Sequence, residues 1–154
     1  MNVKATLSSD DLARACAEAM WKEDDASQGL GMEILEIKTG EATLAMTVKP
    51  HMVNGHNIAH GGFIFLLADS AFAFACNSHN ERTVAAQCNI SFIKPGKLGD
   101  RLVATAREIS RTGVPGFTMC VSASMTRRLP NCAAIPAPSA AHGCRPMPTP
   151  DRTE

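Results

Sequence analysis

The 154-residue chain carries no net charge: fifteen lysines and arginines balance fifteen aspartates and glutamates. It therefore has no electrostatic footprint for nucleic acid or for an anionic lipid surface. It lacks a basic-then-apolar leader, and its longest apolar run is too short for a bilayer, so no membrane partner is expected and the cytoplasm is the expected compartment. It lacks any C-x-x-C pair. Cys16, Cys76, Cys88 and Cys120 are scattered and read as small buried residues in a reducing compartment, not as a disulfide frame or zinc site. It also lacks H-E-x-x-H. His56 and His60 stand four apart, but Asn57 replaces the acid, and Pro50 and Gly55 make the stretch a loop, so no metal is expected. The length suits one domain with a proper core.

What the chain does have is a run from Phe63 to Cys76 that is apolar except for Asp69 and Ser70, preceded directly by His60-Gly61-Gly62. A helix apolar on nearly every side is expected to be buried on nearly every side. An acid in its middle is costly unless paired or used. The two glycines leave backbone N–H groups open to close approach at a helix end that attracts negative charge. One helix thus offers an oxyanion site at its tip and a carboxylate further along, a pair suited to acyl transfer or hydrolysis.

Gly61 and Asp69 are eight residues apart, about 12 Å at the helical rise. A base and an oxyanion donor serving one carbonyl must both lie within roughly 3 Å of the reacting atoms. On one copy of the helix they cannot meet. Two antiparallel copies about a two-fold axis would bring each Asp69 towards the other chain's Gly61, so the spacing predicts a symmetric dimer with shared sites.

The rest of the chain supplies a sheet. Ser8 to Asp11 reads as a helix start, followed by an apolar stripe of Leu12, Ala15, Cys16, Ala19 and Met20 ending near Trp21. Strands are predicted over 32–37, 42–48, 83–93 and 100–109, with a further one beginning near Val114. In the second, Ala42, Leu44, Met46 and Val48 share a buried face; in the fourth, Leu102, Ala104 and Ala106 do. Helix, strands, long helix and strands again imply an α+β class with an antiparallel sheet packed on a central helix, about 61–77. His51 and His79 are expected to be solvated. Phe63, Phe65, Phe72 and Phe74 are assigned to the core, with one or two available to an aromatic acyl pocket. Cys76 is assigned to the core, since no base is placed to activate it.

Asn54-Gly55-His56, His60-Gly61-Gly62, Ala68-Asp69-Ser70-Ala71-Phe72-Ala73 and Cys76-Asn77-Ser78, continued by Asn89-Ile90-Ser91-Phe92, Lys94-Pro95-Gly96 and Gly99-Asp100, resemble the hot-dog-fold thioesterases of bacterial phenylacetate degradation. The resemblance covers residues 10–114. It implies a curved antiparallel sheet around a long helix, active sites at a subunit interface, and a homodimer that pairs into a dimer of dimers. It implies hydrolysis of phenylacetyl-CoA, or a hydroxylated relative, to the free acid and coenzyme A, with no cofactor beyond the coenzyme A of the substrate. By position it makes Asp69 the catalytic carboxylate, as general base on water or as nucleophile, and Gly61 the residue whose N–H polarises the thioester carbonyl. It places Asn54 and His60 beside the thioester, and Gly62, Lys94, Arg111, Thr112 and Gly113 where the substrate is bound. Some relatives carry a water-holding serine after the helix; Val84-Ala85-Ala86-Gln87 has no hydroxyl there. The rival readings are a hot-dog hydroxyacyl thioester dehydratase and a non-catalytic acyl-CoA-binding module.

Residues 1–114 therefore read as the hot-dog domain and 115–154 as an aberrant tail. Six of the nine prolines fall at 130, 136, 138, 146, 148 and 150, where a sheet would need further strands. A one-base frameshift near Val114 accounts for the change. Synonymous codons for Pro115 to Ala137, read one base earlier, permit a strand, an acidic turn and a second strand.

Overall fold

Alanine-rich strand faces and an alanine-bearing helix face let sheet and helix approach closely, and that contact organises the molecule. The computed structural model describes residues 7–111 and the backbone of 112 and of 116–126. Two helices, α1 (Ser9–Trp21) and α2 (Asp25–Leu30), precede the hairpin strands β1 (Glu33–Lys38) and β2 (Glu41–Thr47). The long helix α3 (Gly61–Cys76) follows, ending in a 3-10 turn over Asn77–His79, and β3 (Arg101–Thr112) and β4 (Gly116–Thr126) complete an antiparallel sheet of order β1-β2-β3-β4.

Register explains the close packing. Ala42 faces Ala106, Leu44 faces Ala104 and Met46 faces Leu102, and all six side chains are buried. Small residues thus alternate with large ones under α3, which packs on β2 and β3. The helix answers with Leu67, Ala71, Phe74 and Ala75, all buried, at the i, i+4, i+7, i+8 spacing of one face. Phe74 is buttressed by the Trp21 ring at 6.0 Å. The β1–β2 turn is the two-residue Thr39-Gly40, with Gly40 at φ +71°, a value that favours glycine. Its tip is tied down on three sides. Asp10 Oδ1 accepts from the Thr39 N–H and hydroxyl at 3.0 Å, Ser78 Oγ accepts from the Gly40 N–H at 2.8 Å, and the Gly40 carbonyl accepts from the Glu108 N–H at 2.8 Å.

Several expectations need correction. In α1 the fully buried residues are Ala13 and Ala17, while Ala15 and Ala19 are exposed and Cys16 and Met20 are half-buried. Alanine is small enough to lie on either side, so packing rather than periodicity set the face. Secondly, α3 is buried on one face only, and Asp69 is exposed. The sheet covers one side of the helix, leaving Phe65, Ala68 and Phe72 half-buried around the acid. Thirdly, residues 83–93 form no ladder among the described residues. The Asn77 side chain brackets Thr83 through its N–H and carbonyl, both at 2.9 Å. Beyond it Val84 and Ile93 are 85% and 88% exposed: the strand-like pattern is present but no neighbouring strand meets it. Finally, His79 is not solvated, because its Nε2 meets Glu108 Oε2 at 2.6 Å.

With its 3-10 turn, the stretch Gly61–His79 reaches 19 residues and is long and apolar enough to cross a membrane by length and composition, contrary to the sequence estimate. Core helices meet the same criterion, and this one packs on the sheet through Leu67, Ala71 and Phe74. The strand β4 pairs with β3 from Gly116 to Thr126, beyond the residue at which the tail was expected to begin. The frameshift reading spans Pro115 to Ala137, of which the backbone of 116–126 is described; residues 113–115 and 127–154 lie outside the described residues.

Candidate active site

The N-terminal pole of α3 is built by a short loop folded back on itself. A bridge between Val53 and Ala59, and the His60 N–H donating to the Met52 carbonyl at 2.8 Å, bring the two ends of the loop together. Asn54 and His60 therefore stand at the same end of the helix. Asn54 Oδ1 accepts from the His56 N–H at 2.9 Å and from the Ile58 N–H at 3.4 Å, which closes the loop and fixes the orientation of the amide. His60 is the helix N-cap, with extended backbone, and its Nδ1 accepts from the Gly62 N–H at 3.0 Å. The Gly61 N–H, one residue earlier, has no acceptor among the described residues. It is one of the orphan donors at a helix start, pointing outward with the dipole behind it.

Asp69 lies two turns further along α3, exposed, with no hydrogen bond or ion pair among the described residues. An unpaired carboxylate on an otherwise apolar helix is free for chemistry. Within one chain it cannot share a carbonyl with Gly61, since eight residues of helix separate them by about 12 Å. Lys94 is exposed, in a turn held near the pole by the Ala59 N–H, which donates to the Gly96 carbonyl at 2.8 Å. Arg111 is elsewhere. Its guanidinium pairs with Glu81 and meets His79 Nδ1 at 3.4 Å, just beyond the C-terminal end of α3. Thr112 ends β3 at the same pole, opposite Gly116, and Gly113 lies outside the described residues. The structure thus brings Asn54, His60, Gly61 and Gly62 together with Lys94 nearby, and sets Arg111 and Thr112 at the opposite end of the helix.

Cys76 is excluded as a nucleophile. Burial pushes its thiol up to about 11, and the thiol donates to the Ala73 carbonyl at 3.4 Å. Two contacts were not legible in the sequence. Ser70 Oγ meets the buried Ser27 Oγ at 2.9 Å, tying α3 to α2. The ring of Phe92 lies against Gly61: a Cβ built there would stand 2.9 Å from Phe92 Cζ. Phe92 stands in a recognisable motif, but its contact is tertiary and leaves no periodic signal.

Residues 56–121 match the thioesterase superfamily. The structure of the PaaI protein from the phenylacetic acid degradation operon of Escherichia coli superposes with a TM-score of 0.74 at 39% identity, covering 77% of this chain and 85% of that one. The chain belongs to the thioesterase superfamily. Its antiparallel sheet and central helix are the hot-dog fold. In sequence, the acyl-coenzyme A thioesterase PaaI of Escherichia coli is 47% identical over 91 residues, 59% of this chain and 65% of that protein, so the match spans slightly less than two thirds of the relative. A hypothetical thioesterase protein from Streptococcus pneumoniae, solved with coenzyme A, superposes with a TM-score of 0.62 at 26% identity over 67% of this chain and 80% of that one. The superfamily match begins at His56 and so takes in the whole of α3.

Proposed function

We propose that this chain is an acyl-CoA thioesterase that hydrolyses phenylacetyl-CoA, or a hydroxylated relative, to the free acid and coenzyme A, in the cytoplasm and without a cofactor. The observation that carries the reading is one helix with an unengaged Gly61 N–H at its start and an unpaired, exposed Asp69 two turns along. The relatives described above support the substrate class.

In this reading two chains lay their α3 helices antiparallel, so that Asp69 of one copy faces the Gly61 pole of the other. The half-buried Phe65, Ala68 and Phe72 supply apolar surface for that contact, and the homodimers pair into a dimer of dimers. The thioester carbonyl oxygen accepts from the Gly61 N–H beside Asn54 and His60. Asp69 takes a proton from water as its oxygen attacks the carbonyl carbon. The resulting oxyanion is held by the same N–H and the helix dipole. Collapse breaks the C–S bond and expels the coenzyme A thiolate, which takes up the proton. Lys94, exposed in the turn that Gly96 ties to Ala59, is assigned to a coenzyme A phosphate. Arg111 and Thr112, with Gly113 grouped beside them by the resemblance alone, serve the substrate only if the partner's arrangement brings the far end of α3 to the site. Thiol release measured across a panel of acyl-CoAs tests the reading. Preferred turnover of aryl-acetyl thioesters is expected; hydration or dehydration of enoyl and hydroxyacyl thioesters without thiol release would replace it by the dehydratase reading.

A further inference from the structure

Phe92 is 57% exposed, yet one edge of its ring is pressed against the Cα of Gly61, with Cζ 2.9 Å and Cε1 3.2 Å from the position a Cβ would take. The ring and the unengaged N–H therefore flank the same α-carbon. The residue is held there from behind. The Ala59 N–H bonds the Gly96 carbonyl, four residues beyond Phe92 and one residue before the N-cap, so the turn carrying Phe92 and the start of α3 move together. Residues 84–95 are all exposed, and within that stretch Phe92 lays a ring edge against the pole.

We infer that Phe92 is a specificity-determining residue whose exposed face forms one wall of the acyl site. The inference rests on the thioesterase reading. A thioester whose carbonyl oxygen meets the Gly61 N–H must run its neighbouring groups past this ring. A flat aromatic wall favours a planar aromatic acyl group over a flexible chain, because ring pairs gain attraction beyond their buried area. An alanine at position 61 keeps the N–H but sets its methyl group against the ring, which must then shift.

The test compares wild type, Phe92→Leu and Phe92→Ala by kcat/KM for phenylacetyl-CoA and for octanoyl-CoA, an unbranched acyl group of equal carbon number. The aromatic-to-straight-chain ratio is expected to fall by about threefold to tenfold in both variants. A parallel pair places Gly61→Ala in the wild-type and Phe92→Leu backgrounds, where the loss of turnover is expected to be at least about tenfold smaller with leucine, as overlap is relieved. Folded, active variants with an unchanged ratio, or equal losses from Gly61→Ala in both backgrounds, would overturn the inference. Failure of the underlying reading looks different: the wild-type protein would release no thiol from any acyl-CoA.

Discussion

Replacing Asp69 by asparagine separates chemistry from stability more sharply than any other single change. The carboxylate is exposed and makes no hydrogen bond or ion pair among the described residues, and the amide has the same size. Surface substitutions away from such contacts change stability by no more than about 0.5 kcal/mol, so the urea midpoint should hardly move. A positioned general base contributes about a hundredfold to ten-thousandfold, which is about 2.7 to 5.4 kcal/mol of barrier at 1.36 kcal/mol per decade. Turnover should therefore fall by at least about a hundredfold while the fold is kept. The assay is release of free thiol from saturating phenylacetyl-CoA, followed with a thiol reagent, beside urea unfolding of the same preparation. Hydrolysis within a few fold of wild type by a folded variant would refute the mechanism. A large loss of stability would refute the premise that the carboxylate has no structural bond.

The two-fold arrangement predicts complementation. Asp69→Asn chains mixed equally with Asn54→Ala/His60→Ala chains should recover about a quarter of wild-type activity, since half the dimers are hybrids with one intact site of two; exchanged, folded hybrids without recovery would place each site within one chain. Phe74→Ala removes a fully buried ring that meets Trp21 and should cost about 3–5 kcal/mol in urea unfolding. Asp10 is held below its ordinary 3.8, chiefly by hydrogen bonds from the Thr39 backbone and hydroxyl. Its contribution is present while the carboxylate is ionised and is lost as pH falls through the lowered value. The stability gap between wild type and Asp10→Ala should thus narrow below about pH 4. Sequencing the gene should find codons over Pro115–Ala137 that permit the strand–turn–strand reading one base earlier; codons that forbid it remove the frameshift explanation.

Much of this fold was legible because burial left a period-two trace. Ala42, Leu44 and Met46 on β2, and Leu102, Ala104 and Ala106 on β3, alternate in the sequence and are buried in register. The Ser8 cap of α1 was legible for a similar reason, a local hydrogen bond from the Asp11 N–H. The helix α2 was not: six residues containing Gly29 carry too little periodicity, and Asp24 at its N-cap and left-handed Gly31 at its end were the usable signals. The segment 83–93 alternates like a strand, but a ladder needs a neighbour, which no local pattern encodes. At the candidate site, Gly61 and Asp69 are singled out from composition, because glycine pairs and lone acids stand out in an apolar run. The Phe92 contact, the position of Arg111 and the His79–Glu108 pair join residues at least 29 positions apart and depend on the folded chain.

The loop before α3 has a consequence for what the pole can recognise. Asn54 uses its carbonyl oxygen on two backbone N–H groups, and His60 uses Nδ1 on Gly62. With the neutral imidazole accepting at Nδ1, its proton sits on Nε2. What remains to face a ligand is the Asn54 amide N–H pair, the His60 Nε2–H and the Gly61 N–H, all of them donors. The fold has consumed its own acceptors and left a one-sided surface. Such a surface rewards a ligand as its oxygen becomes more negative, and in the proposed dimer it leaves the acceptor's part to the partner's Asp69. In the proposed dimer a released carboxylate meets these donors together with the like charge of the partner's Asp69, so the pole favours the developing oxyanion over the free acid product.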